Sequence, residues 1–219
     1  MRITKPLCFV AALSAFASLP AAGAPAGVVA PTVFEPGIIS CAPHEAAPAF
    51  TPDGRTVFFQ RGNPSEATIL VSHREGGDWS QPTIAPFSGR WNDMEPAMAP
   101  DGSYLIFVSS RPIVPGGKSI DGVFNGKRHP GHGGNLWRVD RTATGWSKPY
   151  RLPEIVNSST TTFSPSIARD GSLYFMHPDK TTGRFRLYRA QWRDGRYLAP
   201  VPLPFSTGAS TDVDPAVDP

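Results

Sequence analysis

The chain has 219 residues, of which 40% are apolar and 18% charged, with 25 prolines, 21 glycines and a formal net charge of +3. This apolar content is enough for a sizeable core and excludes a wholly disordered chain. So many prolines and glycines, without a collagen-like period, argue against long helices and favour short strands joined by turns.

The N-terminus has the features of a secretory signal peptide. Arg2 and Lys5 give a positive start, residues 7–19 are apolar and rich in alanine, and Pro20 precedes several small residues. We therefore predict that residues 1–24 form a signal peptide and that the mature protein is periplasmic or extracellular. No second apolar run is long enough to span a membrane, so we expect no membrane span after the signal is removed.

Removal of this segment changes the charge and the cysteine content. The remaining chain has 19 basic and 18 acidic residues, a net charge of +1, which gives no electrostatic reason to bind nucleic acid. Cys41 becomes the single cysteine, so an intrachain disulfide is excluded. His44 lies three residues after Cys41, but we interpret this cysteine as an isolated loop residue rather than a nucleophile.

From residue 45 onwards the chain consists of repeats. Residues 45–61 (EAAPAFTPDGRTVFFQR), 94–110 and 163–177 share one pattern. Each copy has a proline near its start, and a fourth copy begins in the same way at the C-terminus. These prolines are 48, 69 and 50 residues apart: Pro48, Pro96, Pro165 and Pro215. An Asp-Gly pair follows in the first three copies, at Asp53, Asp101 and Asp170. Asp-Gly between apolar runs predicts a tight hairpin turn.

Each unit contains four pieces that read as strands. In the first unit they are PAF, TVFF, ATILVSHR and PTIAPF. The third piece alternates apolar and polar residues, which is typical of a strand with one buried face. The fourth piece is rich in proline, which suits an edge strand. Four antiparallel strands in a repeat of 40–50 residues predict a β-propeller blade.

The units resemble the WD-like repeat of TolB-type propellers and of exported proteins whose repeats carry a P-D-G turn. The resemblance rests on E-x-x-P-x-x-x-P-D-G, a following aromatic strand and G-x-W-S-x-P, and it covers residues 31–219. The third unit departs from it, because Ala168-Arg169 precedes its Asp-Gly pair. The resemblance implies an all-β fold, a β-propeller of four-stranded antiparallel blades, and first strands that line a central channel.

The predicted propeller is incomplete. We place blades at residues 45–93, 94–162 and 163–211 and the start of a further blade at 212–219, whereas propellers close with about 4–8 blades. The preferred explanation is a truncated chain whose open blade edges allow self-association. There are two alternatives. Other chains could complete the propeller, or the C-terminus could close onto an outer strand within residues 25–44.

Candidate binding residues recur near the repeat prolines. Glu45, Glu95 and Asp214 lie at or near the same place in their units, and an arginine follows the second strand of two units. His177 is equivalent to the first of these arginines, and an aromatic–polar cluster precedes the second unit. The candidate ligand-binding set is Glu45, Arg61, Arg90, Trp91, Asp93, Glu95, Arg111 and His177. We prefer a structural interpretation of the recurring acids, as acceptors for backbone N–H groups of neighbouring blades.

The second unit is about 20 residues longer than the others, and the excess forms a Gly/Pro/His loop at 112–134. His129 and His132 are three apart in this loop and are weak metal-ligand candidates, because spacing supplies no third ligand. We expect no cofactor and assign no catalytic residue.

Two classes of function follow. The first is a non-catalytic binding module of the cell envelope, with a protein, a peptide or an envelope glycan as partner. The alternative is a polysaccharide lyase or hydrolase that uses channel-facing histidines and acids; two or more histidines at the channel would favour it.

Overall fold

The computed structural model describes residues 30–41, 44–63 and 65–218, so the predicted signal peptide lies outside the described residues. Met1–Thr32 and Val33–Pro219 form separate units. In the first unit only residues 30–32 are described, and they have no regular secondary structure.

Blade 1 is an antiparallel sheet in which two short strands share the outer position. β3 pairs with β2 along its length, and both short strands pair with β3, so together they form an interrupted fourth strand. The strands are β1 (Glu45–Phe50), β2 (Thr56–Arg61), β3 (Thr68–Glu75), β4 (Asp78–Trp79) and β5 (Thr83–Ile84).

Blade 2 repeats this order and adds a hairpin between its second and third long strands. The added hairpin, β8–β9, is formed by the long loop. The strands are β6 (Asp93–Met98), β7 (Tyr104–Ser109), β8 (Gly122–Phe124), β9 (Lys127–His129), β10 (Asn135–Thr142), β11 (Gly145–Trp146) and β12 (Tyr150–Arg151).

Blade 3 has the same order of long strands, while its outer hairpin is separate from the main sheet. The strands are β13 (Phe163–Ile167), β14 (Leu173–Pro178), β15 (Phe185–Ala190), β16 (Trp192–Arg193), β17 (Arg196–Tyr197) and β18 (Val201–Pro202). The predicted all-β fold of four-stranded antiparallel blades is therefore confirmed. β6 lies between β1 and β13, so the first strands of the three blades are neighbours at the centre.

Each first strand contains a β-bulge at the residue before the repeat proline. The register shifts there in all three blades, and the bulged residues have left-handed φ angles: Ala47 (50°), Glu95 (51°) and Ser164 (51°). Asp214 (52°) repeats this conformation before Pro215. A left-handed conformation is unfavourable for residues other than glycine, and bulges commonly re-aim a side chain. The bulge therefore decides where the side chains of Ala47, Glu95 and Ser164 lie, and Asp214 adopts the same backbone conformation outside a strand.

The turn of blade 3 is one residue shorter than the others. In blade 1 the N–H of Thr51 donates to the carbonyl of Thr56, whereas in blade 3 that of Ala168 donates to Ser172. This is the unit whose sequence departs from the repeat before Asp-Gly. Because the turn is one residue shorter, His177 occupies the position in β14 that Arg61 occupies in β2, as the sequence predicted. His177 pairs with β15 in the same way that Arg61 pairs with β3.

Tryptophans pack one blade against the next. The Trp146 ring contacts Phe58 of blade 1, with centroids 5.4 Å apart, and Phe87 at 6.2 Å. Trp79 of blade 1 packs instead on Phe34, with centroids 5.7 Å apart. Phe34 belongs to the segment in which an outer strand was predicted; its described residues form a turn closed by a Pro36–Ser40 bridge. The turn covers blade 1 by side-chain packing rather than by strand pairing.

No helix among the described residues is long and apolar enough to cross a membrane.

Candidate functional site

The bulged residues meet in a central channel and are joined by hydrogen bonds. The Glu95 N–H donates to Gln60 Oε1 (3.0 Å), and the Ser164 N–H donates to Glu95 Oε2 (2.6 Å). The Ser164 hydroxyl donates to Asp214 Oδ1 (2.7 Å). These bonds connect blade 1, blade 2, blade 3 and the C-terminal segment around a cavity of about 450 Å³. For Glu95 this is the structural role that we preferred from the sequence.

The electrostatic environment of Glu95 is unusual for a carboxylic acid. The pKa of Glu95 is raised to about 7, chiefly by burial and also by the negative charge of Asp214, while the hydrogen bond from the Ser164 N–H opposes the shift. Near neutral pH the folded protein therefore holds this side chain in both its protonated and its ionised form.

Glu45 has a different position and a different role. It lies three residues before its proline, as Asp93 does, whereas Glu95 and Asp214 lie directly before theirs. Glu45 Oε1 accepts a hydrogen bond from Arg61 Nε (3.0 Å), and its other oxygen accepts the Cys41 N–H (3.2 Å). The recurring acids are thus two separate sets, and Glu45 with Arg61 connects the N-terminal segment to blade 1.

Asp93 and Arg111 form a buried ion pair inside blade 2. Asp93 is fully buried and accepts hydrogen bonds from Ser88 Oγ (2.9 Å), Ser109 Oγ (2.6 Å) and Arg111 Nη1 (2.8 Å). Burial raises the pKa of Asp93 despite Arg111, and burial lowers the pKa of Arg111 despite Asp93. Ser109 and Arg111 belong to blade 2, whereas Ser88 follows the last strand of blade 1 and accepts the Ile69 N–H of β3 (3.0 Å). The pair therefore stabilises blade 2 and its junction with blade 1 and does not present a charge to a ligand.

The predicted aromatic–polar cluster lies on the surface. Arg90 is exposed, and its guanidinium carbon lies 5.3 Å from the centroid of the half-buried Trp91 ring. The two residues interact as a cation–π pair. They remain a surface candidate, separate from their buried neighbour Asp93.

His177 does not reach the channel. The residue is only 7% exposed and stacks on Tyr188, with ring centroids 3.8 Å apart. Its Nδ1 lies 2.9 Å from the carbonyl oxygen of Pro178, and burial lowers its pKa. The strand position agrees with the sequence, whereas the ring packs into blade 3 and is not among the residues that line the channel cavity.

The long loop of blade 2 folds over one end of the channel and contacts blade 3. The Val123 N–H donates to Thr161 Oγ1 at the end of blade 2 (2.7 Å), and the Asn125 N–H donates to the Gly183 carbonyl of blade 3 (3.3 Å). Beneath it lies a cavity of about 380 Å³, which we call the channel-mouth pocket. It is lined by Ser65, Met94, Glu95, Phe124, His129, His132, Phe163, Met176 and Phe185.

Three of the predicted residues meet at this pocket: Glu95, His129 and His132. The His129 ring stacks on Phe124, with centroids 3.8 Å apart and planes within 5°. The His129 Nε2 is buried and has no hydrogen-bond partner in the part of the chain that the structure describes. Within the described residues, no three histidine, cysteine or acidic side chains are grouped to hold a metal ion.

Sequence reasoning missed the aromatic and methionine walls of the pocket. Met94 and Phe163 each lie two residues before a repeat proline, where blade 1 has Ala46. This repeat position has a small residue in blade 1 and large residues in blades 2 and 3. The difference is visible in the sequence and could have indicated the pocket. Phe124 and Phe185 carried no such signal, because the loop brings them together across blades.

No protein-family model matches the chain. No curated protein matches it either. Among solved structures, TolB from Acinetobacter baumannii is 17% identical over 71% of this chain and 32% of its own, with a TM-score of 0.43. A Mycobacterium tuberculosis puromycin-hydrolyzing peptidase is 16% identical over 74% of this chain and 23% of its own, with a TM-score of 0.47. A Hadza microbial sialidase is 18% identical over 72% of this chain and 37% of its own, also at 0.47. The chain therefore spans about a quarter to a third of these structures, and the similarity is distant.

Proposed function

We propose that the chain is an exported, TolB-like propeller that acts as a non-catalytic binding module of the cell envelope, with a protein, a peptide or an envelope glycan as partner. The channel-mouth pocket is its ligand site. One observation carries this proposal: an apolar, aromatic-walled cavity of about 380 Å³ that contains one carboxyl group, Glu95. Concave apolar sites with a few polar groups are the usual form of ligand sites.

The pocket breaks the symmetry of the repeat, which supports a role in binding. Phe124 and His129 come from the hairpin that blade 2 alone carries, and Phe163 and Phe185 come from blade 3. A residue that recurs in every blade usually supports the fold. This cavity depends on the hairpin of blade 2, so it is present at one end of the channel and is not repeated in the other blades.

The test is a screen of the purified chain against immobilised peptides and envelope glycans, followed by affinity measurement of the hits. Phe124→Ala removes one wall and should weaken binding about tenfold or more. Val123→Ala is the matched control, because Val123 is the neighbouring residue and its side chain is exposed. Equal affinity of the two variants for every hit would place the binding site elsewhere.

The alternative function, a polysaccharide lyase or hydrolase, has one observation in its favour. His129 and His132 line the pocket together with Glu95, so two histidines and an acid share one cavity. The purified chain should then depolymerise uronic-acid polymers and lose this turnover in His129→Gln. Absence of turnover on a panel of such polymers, with and without added divalent metal, would reject the alternative.

The proposal also places the mature protein outside the cytoplasm. N-terminal sequencing of the protein from the periplasmic or culture fraction should give a start close to residues 21–25. A product in the cytoplasm that retains Met1 would contradict export.

A further inference from the structure

Glu95 differs from the other acids near the repeat prolines in having no oppositely charged partner. Glu45 pairs with Arg61 at 3.0 Å and Asp93 pairs with Arg111 at 2.8 Å. Glu95 has no ion pair within the described residues. A carboxyl group that is largely removed from water is unfavourable in its charged form unless a cation or hydrogen bonds compensate it.

The walls around Glu95 have the electrostatic character that attracts cations. The Phe185 ring centroid lies 5.8 Å from that of Phe124 and 6.0 Å from that of Phe163. The faces of aromatic rings are negative, and cations within about 6 Å of such faces are attracted. No lysine or arginine is among the residues that line the pocket. The pocket thus combines three phenyl rings, one of them stacked on the His129 imidazole, with one carboxyl group and contains no permanent positive charge.

We propose that the channel-mouth pocket binds an organic cation, an ammonium group with apolar substituents, with Glu95 as its counter-ion and Phe124, Phe163 and Phe185 as its aromatic walls. This inference rests on the proposed binding function and names the chemical class of the ligand. A substituted ammonium group on a peptide, a glycan or a small molecule meets the same requirement.

Other ligand charges fit the pocket less well. An anion would be repelled by the Glu95 carboxyl group in the pocket and by the charge of Asp214 in the adjoining channel cavity. A neutral apolar group would contact the walls but would leave Glu95 without a counter-ion. Only a cation uses both features of the pocket.

The proposal predicts a characteristic pH dependence. Because the ionised form of Glu95 binds the cation, and its pKa is raised to about 7, affinity should increase as the pH rises towards and through 7. The other titratable groups that face Glu95 are Asp214 from the C-terminal segment and His129 and His132 from the loop. Because these groups lie close to Glu95, its contribution must be separated from theirs by substitution.

Choline and its neutral isostere 3,3-dimethylbutan-1-ol are a matched pair of probes for this purpose. Isothermal titration with the full chain at pH 5.5, 7.0 and 8.5 gives their dissociation constants. We expect choline to bind about tenfold more tightly than the alcohol at pH 8.5, and to lose about tenfold in affinity at pH 5.5. The affinity of the alcohol should change less than threefold over the same range.

Glu95→Gln keeps an oxygen for the Ser164 N–H and removes the charge. It should therefore weaken the binding of choline about tenfold and leave the affinity for the alcohol unchanged. A second variant, Phe163→Leu, should weaken the binding of choline more than the binding of the alcohol. Val123→Ala should affect neither probe. Equal affinity for the two probes in the wild-type chain, or no effect of either variant on choline, would overturn the cation assignment and leave the binding module intact. Failure of both probes to bind at 50 mM would also overturn it.

Discussion

Replacement of Asp93 by asparagine tests whether the Asp93–Arg111 pair is a structural element of blade 2. Asparagine has nearly the same volume, so the change removes a charge without creating a cavity. It replaces one acceptor oxygen by an NH₂ donor in a site where Ser88, Ser109 and Arg111 all donate. At least one donor then loses its acceptor, and the Arg111 guanidinium loses its counter-ion.

The magnitude follows from the burial of both partners. The Asp93 side chain is 0% exposed and that of Arg111 is 11% exposed, so water cannot replace the lost partner. Removal of one member of a buried ion pair costs about 3–5 kcal/mol, which is a large part of the stability of a domain of this size. The raised pKa of Asp93 shows that its burial outweighs the attraction of Arg111. Removal of both charges in Asp93→Asn with Arg111→Met should therefore recover a substantial part of the loss.

Urea unfolding at pH 7, followed by tryptophan fluorescence, gives the free energy of unfolding of each variant. Asp194→Asn is the control, because its pair with Arg193 is exposed and should contribute less than about 1 kcal/mol. A loss below 1 kcal/mol for Asp93→Asn would refute the reasoning. So would a double variant whose loss equals the sum of the two single losses, since the pair would then be uncoupled.

Two further predictions concern the channel and the contact between blades. The pKa of Glu95 is raised from 4.5 to about 7, so the folded state holds its proton more tightly, and stability should fall by up to about 3 kcal/mol as the pH rises from 4.5 through 7. Glu95→Gln should remove this part of the decline in urea unfolding at pH 5 and pH 8.5, and an unchanged decline would contradict the raised pKa. Trp146→Ala removes the ring that packs on Phe58 and Phe87 and should cost about 3 kcal/mol, measured by the same assay. Trp91→Ala, at the surface, should cost much less; equal losses would show that Trp146 does not anchor the blades.

The blades could be predicted from the sequence because their turns are encoded locally. In each Asp-Gly pair the aspartate accepts the backbone N–H two residues on: Arg55 (3.0 Å), Ser103 (2.9 Å) and Ser172 (2.8 Å). The glycines take positive φ angles between 64° and 80°. Aspartate and glycine suit these conformations for reasons that act within four residues, so the pattern in the sequence is sufficient.

The roles of the acids could not be predicted in the same way. Asp93 and Glu95 lie two apart on one strand, where regular alternation would place them on the same face. The bulge at Glu95 breaks this alternation, so Asp93 is buried in blade 2 while Glu95 lines the channel. A bulge before proline is visible only in the register of the paired strands.

The sequence by itself determined the repeat, the hairpin turns and the order of strands within a blade, because these depend on residues close in the chain or on a recurring pattern. Only the tertiary structure decided that Glu95, His129 and the aromatic walls share one pocket. The loop that closes it is held by contacts such as that of the Asn125 N–H with the Gly183 carbonyl of blade 3, two residues that are far apart in the chain. Contacts at that distance depend on how whole blades pack, and no local spacing encodes them.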